Sequence, residues 1–437
     1  MSTPIIHVGI IEHAPHIGFI LHGTYRTSTG RTVCGRHTAA SAEGALMLDG
    51  ETSARITLTP ADEAATFTLE RVTIGQAFHW QREESQTFRG ALTLLADGQG
   101  LTAINDIDVE SYLTSVISSE MRATSAPEFL KAHAVISRSW LLAQVESRRR
   151  GLRGGGGTVT RETADERICW HDREDHALFD VCADDHCQRY QGLTRAANLA
   201  AAQAVSDTRG QVLTDRDGRV CDARFSKCCG GVTERFSACW ADHDLDYLQP
   251  VRDCPSPAVL PDLTREDEVR RWVTSAPEAW CHTDDPAILS QILNDYDRET
   301  TPDFFRWTVR YTQAELSALL RERTGTDFGA ILKLTPLERG ASGRIIRLRI
   351  VGERRSLILG KELEIRRALS ATHLFSSAFT VEHDGGTPPR EFVLHGAGWG
   401  HGVGLCQIGA AVMGAQGRTY REILSHYYRN TTLTTLY

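Results

Sequence analysis

The chain has no run of about 18 consecutive apolar residues, which excludes a membrane-spanning helix. Its first residues, MSTPIIHVGIIEH, lack the basic segment and unbroken apolar stretch of an export signal and read as a strand. Positive charge is not in excess: 48 Lys and Arg face 56 Asp and Glu, for a net charge of −8. The basic residues are scattered, so nucleic acid is not expected as a partner. The one basic run, 148–150 with Arg153, reads as a helix end, where cations complement the dipole. No low-complexity tract, charged tail or internal repeat is present, which excludes a solenoid or a disordered scaffold. A regular disulfide framework is missing as well. The 11 cysteines are odd in number and bunched at 169–187 and 221–239, a pattern that favours reduced thiols or metal ligands.

What is present fits an α+β protein of two or more lobes, since 437 residues can bury a sizeable core. Residues 1–105 alternate apolar and polar positions in short runs (5–11, 54–59, 65–74, 88–95) and predict a β-rich amino-terminal part. Residues 106–147 switch to helical period. The glycine-rich, then charged stretch 151–168 predicts a mobile loop. Residues 193–215 read as a helix leading into a strand. Residues 255–340, with a helix over 313–323, read as an inserted lobe. The core then combines 106–254 with 341–437, including strands over 345–379, a helix at 366–369 and a last helix over 419–428.

The densest chemical signal is 396–407, GAGWGHGVGLCQ. Glycine at that density permits positive φ and close backbone approach to a partner. Trp399 offers a flat face, and His401 and Gln407 offer polar tips, a mixture suited to a sugar ring. A nucleotide loop fits poorly, because neither GxxxxGK[ST] nor GxGxxG spacing is present. A structural turn around a buried Trp is the competing reading.

A second signal lies in DVESYLTSVISSEM. Val109, Leu113, Val116 and Glu120 fall on one helical face, with Asp108 placed to cap the start. Ser125 to Glu128 reads as a capping box opening the next helix, so the first helix ends near Glu120. A carboxylate on an apolar stripe beside a helix carboxyl terminus is disfavoured as an anion by both desolvation and the dipole. A carboxylic acid that stays protonated near neutrality is what a general acid must be. The alternative is that the helix has already ended and Glu120 is solvated. In the following helix Phe129, Ala132, Val135, Ile136 and Trp140 face a core. Lys131, His133 and Arg138 fall on other azimuths, where solvated surface is the default and substrate binding the alternative.

The third signal is a crowd of soft and borderline ligands: Cys169, His171, His176, Cys182, His186 and Cys187. His176, Cys182, His186 and Cys187 are the most compact set for tetrahedral zinc. The adjacent pair His186 and Cys187 can both ligate only if the chain turns sharply there. A Cys182–Cys187 disulfide is the competing reading. Asp172, Asp175, Asp184 and Asp185 are placed to orient ligands from behind.

Three blocks, in order, resemble one family. VESYLTSVISSEMRATSAPEFLKAHAVISRSW is similar to EYL…V…SEMP…LKAQAVAARTY. CQRYQG, ARFSKCCGGVTE and YLQPVRD resemble a CGG-x-T-E block and its PYL-x-x-V-x-D sequel. GAGWGHGVGLCQIGAAVMGAQGRTYREILSHYYRNTTL is similar to GRGWGHGVGMSQYGA…YEEILKHYYPGT. Over roughly 105–437 the chain therefore resembles the SpoIID/LytB family of peptidoglycan proteins. The resemblance implies two lobes around a glycan-binding cleft and a lytic transglycosylase acting on strands stripped of stem peptides. It implies Glu120 of Ser119-Glu120-Met121 as the catalytic residue. Trp399, His401 and Gln407, with Ser119 and Arg138, would bind substrate. It also implies a structural or groove-shaping zinc on His176, Cys182, His186 and Cys187. Peptidoglycan glycan strands are the implied partner, with an amidase for the enhancer branch, in which the chain would grip glycan without cutting it. A cell-envelope or periplasmic location follows from the family, with the cytoplasm left open by the amino terminus. The departures are Arg122 for proline after SEM, His133 for glutamine and Cys406 for serine. Arg122 is expected to face solvent or the substrate's lactyl carboxylate, since pointing inward it would lower the raised pKa needed at Glu120.

Overall fold

The computed structural model describes residues 3–42, 44–75, 81–149, 159–170, 176–184, 186–194, 198–256, 258–292 and 304–437. Arg150, Arg153, His171, Asp172, Asp175 and Asp185, all named above, lie outside these residues.

The first 108 residues build most of an 11-stranded sheet, as the alternation predicts. Along Thr66–Ile74, Phe67, Leu69, Val72 and Ile74 are buried while Thr66 and Thr68 are not. Two-residue periodicity accounts for Phe67 and Leu69 and again for Val72 and Ile74, because successive side chains point to opposite faces. A bulge between Leu69 and Val72, with Arg71 at φ +57°, resets the alternation. The run 88–95 is not one strand. Gly90, at φ +83°, turns the chain between Arg82–Phe88 and Ala91–Ala96. A Cβ there would meet the Asp106 carbonyl oxygen at 2.3 Å. The edge strand Val181–Cys182 joins in parallel beside Ile5–Ala14, which carries the Cys/His segment onto the sheet.

Helices follow in chain order: α1 (Val109–Glu120), α2 (Pro127–Arg149), α3 (Leu199–Asp207), α4 (Glu266–Thr274), α5 (Pro286–Ile292), α6 (Gln313–Thr324), α7 (Glu362–Ala368), α8 (Gln407–Ala415) and α9 (Tyr420–Tyr427). Among the described residues none is long and apolar enough to cross a membrane. The mixed α+β class is therefore as expected. α2 packs against α1, α3, α8, α9 and the strand Gln211–Thr214. Residues 132–141 are consequently buried on every azimuth, as a helix enclosed by others must be. The capping box at Ser125 does not form. The Ser125 hydroxyl is buried with no hydrogen-bond partner among the described residues. Glu128 instead accepts from the Tyr420 N–H at 2.8 Å and pairs with Lys131 at 3.1 Å. It thus stabilises the amino-terminal end of α9, where a carboxylate suits the dipole.

A second hydrophobic core spans Trp307 to Leu394. It draws on both 255–340 and 341–437. Five strands (Val159–Glu162, Glu166–Trp170, Ser356–Gly360, Ile345–Gly352, Ile331–Arg339) form one sheet, and Arg306–Thr312, Glu391–Ala397 and Phe379–His383 another. The stretch expected as a loop over 151–168 therefore contributes strands from 159 onward. α6 begins with the capping box of Thr312 and Glu315 and ends on left-handed Gly325, matching the predicted helix over 313–323.

Candidate active site and metal-ligand clusters

Asp108 caps α1 by accepting from the Glu110 and Ser111 N–H groups. Val109, Leu113, Val116 and Ile117 are buried below it. The helix closes when the Met121 N–H reaches the Ile117 carbonyl at 2.9 Å. Glu120 is therefore its last residue, at the negative end of the dipole, and its side chain is 18% exposed. That is neither the buried stripe position nor the fully solvated one; it is a carboxyl group at the rim of the core.

Its neighbour is His133, fully buried on α2, with Nε2 3.8 Å from Glu120 Oε2. Gln407, the first residue of α8, donates its amide to His133 Nε2 at 3.1 Å. The ring proton then lies on Nδ1, directed at Ser137 Oγ at 3.2 Å. Burial between Phe129 and Phe225 pushes the His133 pKa down to about 3. The imidazole is neutral, so Glu120 and His133 form no ion pair. The sequence reading left His133 on a surface azimuth. The signal was available, because Phe129, His133 and Ser137 are four residues apart and share one face.

The structure brings Gln407 to Glu120 through His133, but distributes the other expected residues differently. Arg138 is fully buried and clamps Glu110 in a two-pronged ion pair at 3.0 and 2.7 Å. It also donates to the Gln211 carbonyl, and Glu110 accepts from Tyr437 Oη at 2.6 Å. Glu110 lies ten positions before Glu120, about 15 Å along the helix. Arg138 is a structural residue and does not face the Glu120 site. Ser119 Oγ is buried without a hydrogen-bond partner among the described residues. The Arg122 side chain is exposed, as expected.

The glycine-rich segment makes a close approach, but to the protein itself. Gly398, Gly400, Gly402 and Gly404 all have φ between +75° and +91°. A Cβ at Gly404 would lie 1.9 Å from the Arg224 carbonyl oxygen, and one at Gly398 2.7 Å from that of Cys228. Glycine at 398, 400 and 404 lets this segment lie against 224–230, and at Gly402 a Cβ would meet the Arg344 guanidinium at 2.5 Å. Trp399 exchanges two backbone hydrogen bonds with Cys228. Its ring stacks on Phe304 at 5.0 Å, meets the Phe375 edge at 5.2 Å and has Lys227 Nζ 4.8 Å from its centroid. The face expected to stack on sugar is thus engaged by the protein's own side chains. His401 accepts from the Val403 N–H through Nδ1 and meets Trp240 edge-on. Burial first, then the charges of Arg224, Arg344 and Arg366, hold its pKa well below the usual value. Both Trp399 and His401 tether the loop internally.

The four residues expected as zinc ligands do converge. The donor atoms of His176, Cys182, His186 and Cys187 lie within 4.8 Å of one another. Cys187 Sγ is 3.5 Å from both His176 Nε2 and His186 Nδ1, and Cys182 Sγ is 3.9 Å from His186 Nδ1. A tetrahedral zinc with ordinary bond lengths sets sulfur and nitrogen about 3.6 Å apart, so the donor set fits the ion. The sharp turn that adjacent ligands require is made by the Cys187 N–H bonding to the Asp184 carbonyl at 3.0 Å. Beyond it, Gln188 bonds Tyr112 and the Ser137 carbonyl, and the Gln191 N–H bonds Ser115. The cluster thereby anchors a segment that runs along α1 and α2.

A family model described as "Stage II sporulation protein" (SpoIID) matches residues 97–214, and one described as a domain of unknown function (DUF8618) matches 234–404. The chain is 26% identical over 330 residues to the amidase enhancer of Bacillus subtilis, an alignment covering 74% of this chain and 40% of that protein. It is 25% identical over 338 residues to the stage II sporulation protein D of Bacillus amyloliquefaciens, covering 76% of each. With the Bacillus subtilis stage II sporulation protein D it shares 24% identity over 336 residues, again 76% of each chain. The segment bearing Glu120, His133 and the Cys/His cluster is the one that the SpoIID model matches, and the alignments to the two stage II sporulation proteins D and the amidase enhancer each cover about three quarters of the chain.

Proposed function

We propose that the chain is a lytic transglycosylase of peptidoglycan, with Glu120 as its single acid and base. The observation that carries this reading is the placement of Glu120: a helix-terminal carboxyl, 18% exposed, beside an imidazole kept neutral by burial. Glycoside hydrolysis ordinarily uses two carboxyl groups, one as acid and one as nucleophile or base. Here Glu120 faces the His133 imidazole, which the Gln407 amide holds from behind.

A lytic reaction needs only one carboxyl. Protonated Glu120 gives its proton to the oxygen joining N-acetylmuramic acid to N-acetylglucosamine, and the anomeric C–O bond breaks. The resulting carboxylate takes the proton of the muramic 6-hydroxyl as that oxygen bonds to the anomeric carbon. One bond is broken and one formed, the proton returns to Glu120, and no water is consumed. The products are a free N-acetylglucosamine end and a 1,6-anhydro end. His133 supports the cycle by adding no charge beside Glu120, and Gln407 fixes the ring that does so.

Zinc on His176, Cys182, His186 and Cys187 would cross-link 176–187 and so hold 188–191 against α1 and α2. Glycan strands freed of stem peptides are the proposed substrate, in the cell envelope. A second reading is favoured by the internal engagement of Trp399 and His401 and by the name of the amidase-enhancer relative. In it the chain binds glycan for a partner amidase and cleaves nothing.

The test incubates denuded glycan strands with wild type and Glu120→Gln and reads the products by mass spectrometry. Anhydro ends from wild type and none from the variant support the enzyme. Intact strands retained by both proteins would replace it with the binder.

A further inference from the structure

Three cysteines and an aspartate absent from the zinc reading meet elsewhere in the core. Cys229, Cys281 and Cys406 are at most 3% exposed, and Asp253 is 0% exposed. Their donor atoms lie within 4.8 Å of one another. Cys229 Sγ is 3.6 Å from Cys281 Sγ and 3.2 Å from Asp253 Oδ2. The residues come from four separate stretches of chain, with Cys228 adjoining Cys229. We propose that they form a second metal site, for a single thiophilic divalent ion of the zinc class, held by Cys229, Cys281, Cys406 and Asp253.

Three observations carry this. First, the spacing fits: thiolates on a tetrahedral zinc sit about 3.8 Å apart, close to the 3.6 Å separation here. A disulfide would require about 2.05 Å. Second, backbone N–H groups are aimed at the sulfurs. Gly231 donates to Cys229 Sγ at 3.3 Å, and Cys229 donates to Cys406 Sγ at 3.2 Å. Such bonds stabilise thiolate charge and orient ligands. The turn that makes them uses Gly230 and Gly231, both at positive φ. Third, Asp253 is a buried carboxylate whose described partners are the Tyr427 phenol at 2.7 Å, the Cys229 thiol and the His426 imidazole at 3.4 Å. None is a fixed cation, and a carboxylate facing three thiols in the core calls for one. Thiols serving only as small apolar fillers would not gather around a carboxylate.

On binding, each ligating thiol gives up its proton to solvent and no oxidation occurs. The ion would join 229–231, Asp253 and Cys281 to Cys406, immediately before Gln407. It would therefore fix the amino-terminal end of α8 and the bond from Gln407 to His133. This inference is independent of the proposed activity.

The experiment measures metal content of the full chain, purified under reducing conditions with zinc supplied, by elemental mass spectrometry. Wild type is expected to hold two zinc ions per chain, Cys182→Ser one and Cys281→Ser one. Cobalt loaded into Cys182→Ser should show thiolate-to-metal charge-transfer absorption. Because Cys281→Ser removes a buried group, the cobalt spectrum decides should that variant not fold. At most one zinc in wild type, with no such absorption in Cys182→Ser, would overturn the site. An intact mass lower by two hydrogens, locating a Cys229–Cys281 disulfide, would overturn it in favour of a redox pair.

Discussion

His133 titrates in a way that can be worked out in advance. Its unfolded pKa is near 6.5, and burial lowers the folded value to about 3. Above pH 6.5 both states are neutral and the residue makes no pH-dependent contribution. Below it the unfolded chain binds a proton that the folded chain refuses, so stability falls as pH falls, down to about pH 3. The slope is about 1.4 kcal/mol per pH unit for one group. His133→Gln removes the titration and keeps an acceptor for Gln407, at a position fully enclosed by Phe129 and Phe225. Relative to wild type, the variant should gain about 1.4 kcal/mol between pH 7.5 and 5.5, and about 2.7 kcal/mol by pH 4.5. Other buried groups titrate in both proteins and cancel in the difference. Urea unfolding at each pH gives the two curves. Parallel curves, with a constant offset, would mean that His133 binds its proton equally well in the folded and unfolded states, and would remove the argument that burial keeps the imidazole neutral.

Glu110→Gln should leave Arg138 charged and unpaired in the core and cost about 3–5 kcal/mol, read as a lowered urea midpoint. Because the pair is remote from Glu120, substrate affinity measured by glycan retention should not change; a selective loss of affinity would restore Arg138 to the site. Gly404→Ala should cost about 3 kcal/mol or more, since its Cβ would collide with the Arg224 carbonyl at 1.9 Å. Gly417→Ala, also left-handed but with nothing within 4 Å, should cost only about 1 kcal/mol. Equal costs would refute the close-approach account of the glycine segment. Stripping zinc by chelation should lower the melting temperature and zinc should restore it, whereas Cys182→Ser should respond less; no shift in wild type would contradict a bound ion.

Local pattern made part of this molecule legible. The place of Glu120 at the end of its helix was legible because that helix is short, capped by Asp108 and striped on one face. The convergence of the donor atoms from His176 to Cys187 was legible because they fall within one short stretch of chain. His133 and Arg138 were misread for a shared reason. One amphipathic face was read from α2, but that helix is enclosed by α1 and α3, which flank it in sequence, and by α8 and α9, more than 250 positions further along. The Ser125 box failed because Glu128 found a better partner, the end of α9, 292 positions away. The partners of Cys229 were equally invisible, since Cys406 is 177 positions distant. The glycine segment makes its close approach to 224–230 of the chain itself, a partner that composition does not name: it requires that backbone comes near and does not say to what.

The claim most open to direct test is that Glu120 delivers the sugar's own hydroxyl and not water. Digestion of denuded strands in oxygen-18 water, followed by mass spectrometry of the new ends, tests it in one experiment. Anhydro ends without label, lost in Glu120→Gln, are the predicted result. Reducing ends carrying one oxygen-18 would show that water attacks and would contradict the single-carboxyl mechanism.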